Sequence, residues 1–372
     1  MTPLLDQRLR PSRRDKSSSS LTQQTPQLSV VIVNYCQWEN TASLVRQIRA
    51  ESCARRGQVE VVIVDNHSPR HRLLAKLRRW AGVSLRRWGR NRGFARAVNE
   101  GCRLSQGQWF LLLNPDISLA PNFVQGALEL AAELEAQDPR AGIIGFHLHN
   151  PDGSDQPSAG FFPTLASTLA RLVLPRTKRK CHALKARSRC RVPWVTGCCL
   201  LVRRDCFADL AGLDDRFFLY YEDVDLCRRA GARGWSVWFE PTLHAVHHSP
   251  LHGRAVPHHL RLVTRHSLLT YGASHWPGWQ LRLLAGIVRL EARLRRWWAW
   301  WRKEKQAATI YRQLECIAAE LARNNSSAAR KRLELVMKTA KRAAAISSAC
   351  GLAFGTTHRT RSRKRKEISR RG

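Results

Sequence analysis

Acidic residues are scarce in this chain of 372 residues: Asp and Glu total 28 against 63 Lys and Arg, a formal charge of +35. No uninterrupted apolar run approaches the roughly 18 residues of a membrane-spanning helix, so no such span is expected. The stretch from Met1 to Pro26 is polar and rich in serine. It lacks the apolar core of a secretory signal, and none is expected there. The 11 cysteines are odd in number and scattered, with no C-x-x-C pair. In a chain of this size they read as reduced, buried thiols and not as a disulfide framework. What is plentiful is apolar side chain, at 44 % of residues, which suits a globular core and excludes disorder over the whole length. The length fits one domain of about 250 residues with appendages.

The positive excess is uneven. From Gly278 onward there are 24 Lys and Arg against 6 Glu, and the stretch Arg359 to Arg371 (RTRSRKRKEISRR) is almost wholly basic. Such a run cannot pack, which predicts a disordered basic tail over 346–372, opposite a disordered N-terminal segment over 1–27. A tail of this kind either binds polyanions (nucleic acid, or the anionic face of a membrane) or is a solvated, self-repelling terminus.

Between these ends the pattern alternates. Leu28-Ser29-Val30-Val31-Ile32-Val33 is a β-branched run ending at Asn34-Tyr35, and Val59 to Val64 is a second, closed by the turn formers Asp65-Asn66-His67-Ser68-Pro69. Both read as buried parallel strands. Helical patterning follows each, over 39–50 and 69–80. A short strand is expected at 83–87, a helix at 91–103, and a buried strand at Trp109-Phe110-Leu111-Leu112-Leu113 before Asn114-Pro115-Asp116. Strands alternating with helices make an α/β domain with a mostly parallel sheet, whose ligands bind at the carboxyl ends of strands. Asn34, Asp65, Asn91 and Asp116 gather at those ends. Further on, 141–148 and 198–202 read as strands, 203–210 as a helix, and Asn150-Pro151-Asp152-Gly153 as a turn.

Asp116 follows a run of apolar residues and Pro115, so its carboxylate projects from the sheet edge. There it either caps a turn or serves a hard divalent cation that bridges phosphates. The run FFLYYEDVDL, from Phe217 to Leu226, drives aromatics straight into Glu222, Asp223 and Asp225, acids that are unfavourable to bury without a use. If a helix starts there, Glu222 and Asp225 share a face while Asp223 points elsewhere. Acids in a first helical turn also simply suit the helix dipole. Seven histidines fall between His244 and His266, of which about one is expected to coordinate a metal. No spacing among His244, His247, His248 and His252 matches a closed zinc site, so a structural zinc is not expected.

Taken in order, strand–Asn34-Tyr35, strand–Asp65-Asn66, Asn91-Arg92-Gly93-Phe94-Ala95, strand–Asn114-Pro115-Asp116, Trp194-Val195-Thr196-Gly197, Tyr221-Glu222-Asp223-Val224-Asp225 and His247-His248 form a series that resembles glycosyltransferase family 2. The likeness is to its GT-A type and its bacterial rhamnosyltransferase-like branch, from Leu28 to His275. The resemblance implies a Rossmann-like catalytic domain over 28–275. It also implies an inverting, nucleotide-sugar-dependent hexosyltransferase acting on a hydroxyl of a glycan or lipid-linked acceptor in cell-envelope polysaccharide synthesis, with rhamnose from a deoxythymidine donor as the branch's sugar.

Residue by residue, the resemblance places the nucleotide base and ribose at Asn34, Tyr35 and Asp65, and the diphosphate along Asn91, Gly93 and Asn99. A divalent cation, magnesium or manganese, would sit at Asp116 and His247, with His248 the alternative one residue on. Asn114-Pro115-Asp116 stands where the family has D-x-D; its first acid is Asn here, so metal binding falls on Asp116. Trp194, Thr196 and Gly197 would lie beneath the sugar and acceptor. Asp223 would be the catalytic base, with Glu222 orienting the acceptor or the base. The chemistry suits these residue types. A carboxylate that takes the acceptor's proton contributes about 10²–10⁴-fold, and the departing nucleoside diphosphate needs its growing charge neutralised.

The remaining 276–345 reads as helical. On a wheel of 100° per residue, Ile287, Leu290, Leu294, Trp297 and Trp301 gather on one side, with Arg282, Arg289, Arg293 and Arg296 about 120° away. With Trp298 and Trp300 added, this is the composition of a helix lying in a membrane interface. A helix docked on the catalytic domain has the same pattern. The resemblance adds lipid-linked acceptors at the cytoplasmic face. Together these predict a cytoplasmic protein held peripherally on the inner face of the cytoplasmic membrane, each basic residue near an anionic surface contributing about 1 kcal/mol. The competing reading is a basic nucleic-acid-binding protein without catalysis, which a pI near 11.2 permits, although no recognised nucleic-acid motif accompanies it.

Overall fold

The computed structural model describes residues 25–173, 186–248 and 256–351, with side chains excepted over 171–173 and beyond 339. The N-terminal 1–24, His252 and the basic run Arg359 to Arg371 lie outside the described residues.

The chain opens with β1 (Leu28–Asn34), α1 (Trp38–Ala50), the single turn α2 (Ser52–Arg55), β2 (Val59–Asp65), α3 (Leu73–Arg78), β3 (Val83–Arg87), α4 (Phe94–Leu104) and β4 (Trp109–Leu113). Strands β1, β2 and β3 pair in parallel in that order, and β4 then joins the other side of β1, also in parallel. That reversal is a topological switch point, and the crevice outside the carboxyl ends of β1 and β4 is where such sheets bind ligands. Every residue of β1 and β4 is buried. This is why both read as continuous apolar runs and not as alternating ones.

The sheet continues through β5 (Ile117–Leu119), α5 (Phe123–Gln137), β6 (Ala141–His149), β7 (Asp155–Gln156), β8 (Ala159–Gly160), α6 (Leu165–Val173), β9 (Cys190–Arg191), β10 (Trp194–Val195), β11 (Cys199–Arg203), α7 (Arg204–Asp209), α8 (Glu222–Ala232) and β12 (Ser236–His247). The full order is β3-β2-β1-β4-β11-β6-β12-β5, with β7 on β6 and β9 on β12. Strand β11 runs antiparallel between β4 and β6, whereas β6 and β12 are parallel. Helices cover both faces over two apolar cores, one around Ile32, Leu44, Ile63, Leu111 and Phe123, the other around Val31, Val64, Val98, Leu112 and Phe217. This is the Rossmann-like, mostly parallel GT-A architecture implied by the resemblance.

A helical layer follows: α9 (His258–His275), α10 (Gly278–Trp301), α11 (Lys305–Ala322) and α12 (Ser326–Gly351). These helices share a third apolar core through Leu262, Leu269, Leu284, Val288, Leu314, Ile317 and Leu333, which Phe218 joins from the α/β body. Helix α12 continues to Gly351, so 346–351 belong to it and not to a tail. Helix α10 has two apolar faces. Leu281, Leu284, Ala285, Val288 and Ala292 are buried, while Leu290, Leu294, Trp297 and Trp301 are each more than half exposed. Among the described residues no helix is long and apolar enough to cross a membrane. The described cysteines are all free and mostly buried.

Candidate active site

At the end of β1 the Asn34 side chain is fully buried and spent on the protein itself. Its Nδ2 donates to Asp65 Oδ1 and to Ser68 Oγ, both at 3.0 Å, and its Oδ1 accepts from Thr41 and from the Gln37 amide. Asp65, also fully buried, takes the Arg87 Nε at 2.8 Å and the Ser68 amide at 3.1 Å. These two residues therefore build the wall of the crevice. Tyr35, hydrogen-bonded to Asn91, faces it, and burial raises its phenol above the ordinary value.

The expected helix over 91–103 starts only at Phe94, because the preceding loop is tied elsewhere. Asn66 Nδ2 donates to Asn91 Oδ1 at 2.9 Å and to the Gly93 carbonyl at 3.1 Å, while its Oδ1 accepts the Arg92 amide at 2.8 Å. Gly93 has φ +94°, and a Cβ there would stand 2.8 Å from both Arg330 Nη2 and the Phe218 carbonyl, so only glycine fits. Asn99, on the second turn of α4, spends its amide on Leu213 and on Asp215. It holds the loop that leads to the acidic motif.

Asn114-Pro115-Asp116 follows β4, with the Asn114 amide donating to the Cys198 carbonyl at 2.9 Å. Asp116 is buried, and His247 at the end of β12 places Nε2 3.6 Å from its Oδ1. His248 instead gives its backbone amide to the Asp116 carbonyl and turns its ring to Ser118 Oγ at 2.7 Å. The His247 Nδ1 meets the Gln156 side-chain amide at 2.9 Å, and Gln156 Oε1 is buried without a hydrogen-bond partner. Turning that amide over lets Oε1 accept Nδ1–H, which leaves the Nε2 lone pair aimed toward Asp116, the tautomer of a metal-bound histidine. One carboxylate and one imidazole are donors that suit magnesium or manganese.

The acidic motif is delivered by strain. Tyr220 and Tyr221 are both left-handed, at φ +74° and +69°, a conformation that costs about 1–3 kcal/mol per bulky residue. Helix α8 then begins at Glu222. Asp223 Oδ2 accepts the Gly197 amide at 2.8 Å and Oδ1 the Val224 amide at 2.8 Å. Burial raises the Asp223 carboxyl above its ordinary value, an effect only partly offset by those amides and the Thr196 hydroxyl. Burial, then the charges of Asp223 and Asp225, pushes Glu222 well above the usual carboxylate range, and its Oε2 has no partner. Asp225, on the Glu222 face as the spacing predicted, is structural: it pairs with Arg229 and His275, each at 2.7 Å.

The two acid groups converge on one short segment. Gly197 holds Asp223, while Cys198 holds the loop of Asp116. Burial pushes the Cys198 thiol up to about 12; a Thr196 hydrogen bond opposes this, and the charges of Asp223 and Asp116 add to it. Trp194 stands beside this segment, its indole N–H bonded to the Phe161 carbonyl at 2.8 Å. Sequence reasoning did not select Asn66, Gln156 or Arg330. Asn66 carried a signal, an amide directly after Asp65 at a strand end. The other two act across 91 and 238 positions of sequence, and no local pattern announces them.

The family model "Glycosyl transferase family 2" matches residues 29–210. Over 293 residues the chain is 31 % identical to the Mycobacterium tuberculosis N-acetylglucosaminyl-diphospho-decaprenol L-rhamnosyltransferase, covering 73 % of this chain and 93 % of that one. It is 28 % identical over 233 residues to the low-salt glycan biosynthesis hexosyltransferase Agl10 of Haloferax volcanii, covering 60 % of this chain and 68 % of that one. It is also 28 % identical over 163 residues to the Escherichia coli rhamnosyltransferase WbbL, covering 44 % of this chain and 61 % of that one. The nucleic-acid-binding reading finds no support among these relatives. The chain belongs to glycosyltransferase family 2 and is a nucleotide-sugar-dependent, inverting glycosyltransferase.

Proposed function

We propose that this enzyme moves rhamnose from a deoxythymidine-diphosphate donor to a hydroxyl of a lipid-linked glycan during cell-envelope polysaccharide synthesis, working at the inner face of the cytoplasmic membrane. The observation that carries the reading is the meeting of Asp116–His247 and Asp223 across Gly197-Cys198. The diphospho-lipid acceptor and rhamnosyl group named for the mycobacterial relative support the choice of substrates.

In this reading Tyr35, Asn91 and Gly93, on the frame of Asn34, Asp65 and Asn99, receive the nucleotide diphosphate. Trp194, Thr196 and Gly197 form the floor under sugar and acceptor. Asp223 takes the proton of the acceptor hydroxyl as its oxygen attacks the anomeric carbon, and one displacement inverts that centre. A carboxyl raised by burial holds a proton more firmly than a free aspartate, which suits a base. Glu222, whose carboxyl burial pushes well above the usual range, orients the acceptor or the base. Asp116 and His247 would hold the magnesium or manganese ion, which when bound offsets the charge of the leaving diphosphate.

Helix α10 supports the membrane location. Its exposed Leu290, Leu294, Trp297 and Trp301 form an apolar stripe along the helix, flanked by Arg282, Arg289, Arg293 and Arg296, the pattern of an interfacial helix. The test of the whole reading is transfer from a panel of nucleotide sugars to a polyprenyl-diphosphate-linked N-acetylglucosamine. Rhamnosylated lipid formed from deoxythymidine-diphosphate rhamnose supports it; turnover of a different sugar, or none with any donor, overturns the assigned substrates.

A further inference from the structure

On the other side of the sheet from His247, ligand-type side chains meet at the β6–β7 hairpin. His147 and His149 are two apart on β6 and so project from one face. Asp155 opens β7 directly opposite His149, and His244 of β12 lies beside His147 in the parallel register. His244 and His247 are three apart on β12, which puts them on opposite faces.

One donor atom each from His147, His149 and Asp155 lies within 4.8 Å of the others. Asp155 Oδ1 is 3.1 Å from His147 Nε2 and 3.7 Å from His149 Nδ1. The second of these nitrogens is buried and has no hydrogen-bond partner among the described residues. The rings of His147 and His149 are 4.6 Å apart, and His244 stands edge-on to His149 at 5.4 Å. Crowded imidazoles repel one another when charged. Burial, then His147 and His244, lower the His149 pKa below its ordinary value, which favours the neutral ring that ligates metals.

We propose that His147, His149 and Asp155 bind Zn²⁺ at a site separate from Asp116 and His247. Two imidazoles and a carboxylate, with a fourth position for water, are a zinc set, and tetrahedral bonds of about 2.0–2.2 Å bring donors to about 3.3 Å from one another. The closure falls to Asp155, the most exposed member. The spacing among His244 to His252 gave no zinc pattern because the site draws its donors from β6 and β7. The ion would fix the start of β7, where the next residue, Gln156, reaches through to His247 at 2.9 Å.

The test is zinc binding by the full-length chain, stripped with chelator, dialysed against Zn²⁺ and counted by mass spectrometry, without donor or acceptor. Asp116→Asn, His149→Gln and Asp155→Asn are run beside the wild type, and melting temperature with and without zinc checks that each variant folds. The expected result is a zinc retained by wild type and by Asp116→Asn, with affinity at least tenfold weaker in His149→Gln and in Asp155→Asn. The exposed Asp155→Asn keeps the test decisive if His149→Gln does not fold. Zinc lost with Asp116→Asn, unchanged affinity in Asp155→Asn, or no retained zinc overturns the proposal. None of these outcomes bears on whether the protein is a transferase.

Discussion

The Gly197 amide donates to Asp223 Oδ2 at 2.8 Å, and a Cβ added to Gly197 would stand 3.1 Å from that of Asp223. The main chain of the β10–β11 connection thus approaches the acid closely enough that a side chain at Gly197 would crowd it, and the amide contact fixes where the carboxylate points.

Gly197→Ala should push that carboxylate aside without unfolding the sheet. The Asp223 side chain must give by a few tenths of an ångström, less than the displacement of about 1 Å that costs on the order of 10²-fold in rate, so kcat should fall by less than that factor while the donor KM changes little. Steady-state kinetics over both substrates checks it; an unchanged kcat would remove the contact from the mechanism.

Asp223 and Glu222 give opposite pH signatures for activity and stability. Asp223 must be ionised to accept a proton and burial raises its pKa, so kcat/KM should fall on acidification already above the free-aspartate value of about 3.9. Glu222 has a folded pKa well above its unfolded one. Between the two the folded state holds a proton that the unfolded state has lost, so stability is full below the unfolded value and is lost as pH rises toward the folded one. Glu222→Gln removes this penalty. Its melting temperature should exceed wild type near pH 8 and approach it near pH 4, a scan that calorimetry reads directly.

Arg330 ties the helical layer to the donor loop. Its Nη2 donates to the Arg92 carbonyl at 2.6 Å, its guanidinium lies over the Phe218 ring at 4.8 Å, and Glu334 pairs with its Nε at 3.1 Å. Arg330→Met should release both the Asn91–Gly93 loop and the strand of residues before Glu222. Losing a charged hydrogen bond of this kind costs about 1.5–3 kcal/mol, read as a higher donor KM together with a lower kcat. Lysine restores charge but not the planar fork and should rescue only in part. Full activity of Arg330→Met would make the residue a packing element alone.

How much of this was legible follows from where each signal sits. Strands β1, β2 and β4 were legible because each is buried along almost its whole length and is mostly apolar. The end residues Asn34, Asp65 and Asp116 followed from the strands. Helix α3 is shorter than the expected 69–80, beginning at Leu73 after Pro69 and basic residues, and Gly93 delays α4 by its positive φ. The wheel of α10 found its exposed stripe, while the face it buries mixes Leu281, Leu284 and Val288 with the small Ala285, Ala292 and Ala299, and a wheel weights the alanines little. Gln156 and Arg330 owe their places to strand pairing and helix docking over long sequence separations, which one-dimensional patterns do not carry.

Gln156→Ala leaves His247 without its only side-chain support at Nδ1. Loss of such an orienting partner weakens metal binding by about 10–100-fold, so the variant should need correspondingly more Mn²⁺ for half-maximal transfer, with wild-type rate at saturation. A metal titration of activity checks it, and an unchanged midpoint would separate Gln156 from the metal.

Trp297→Ala with Trp301→Ala should weaken binding to vesicles containing phosphatidylglycerol while leaving the fold intact, since both rings are about three-fifths exposed. Flotation at low and high salt reads apolar and charge contributions separately. Equal flotation of the double variant and the wild type would move membrane contact away from α10.

The central claim is that Asp223 is the base facing a donor held near Asp116. Single-turnover transfer by Asp223→Asn, measured beside donor binding by calorimetry, tests it most directly. Donor affinity within a few-fold of wild type and transfer slower by about 10²–10⁴-fold are expected; transfer at the wild-type rate would remove Asp223 from the role of base.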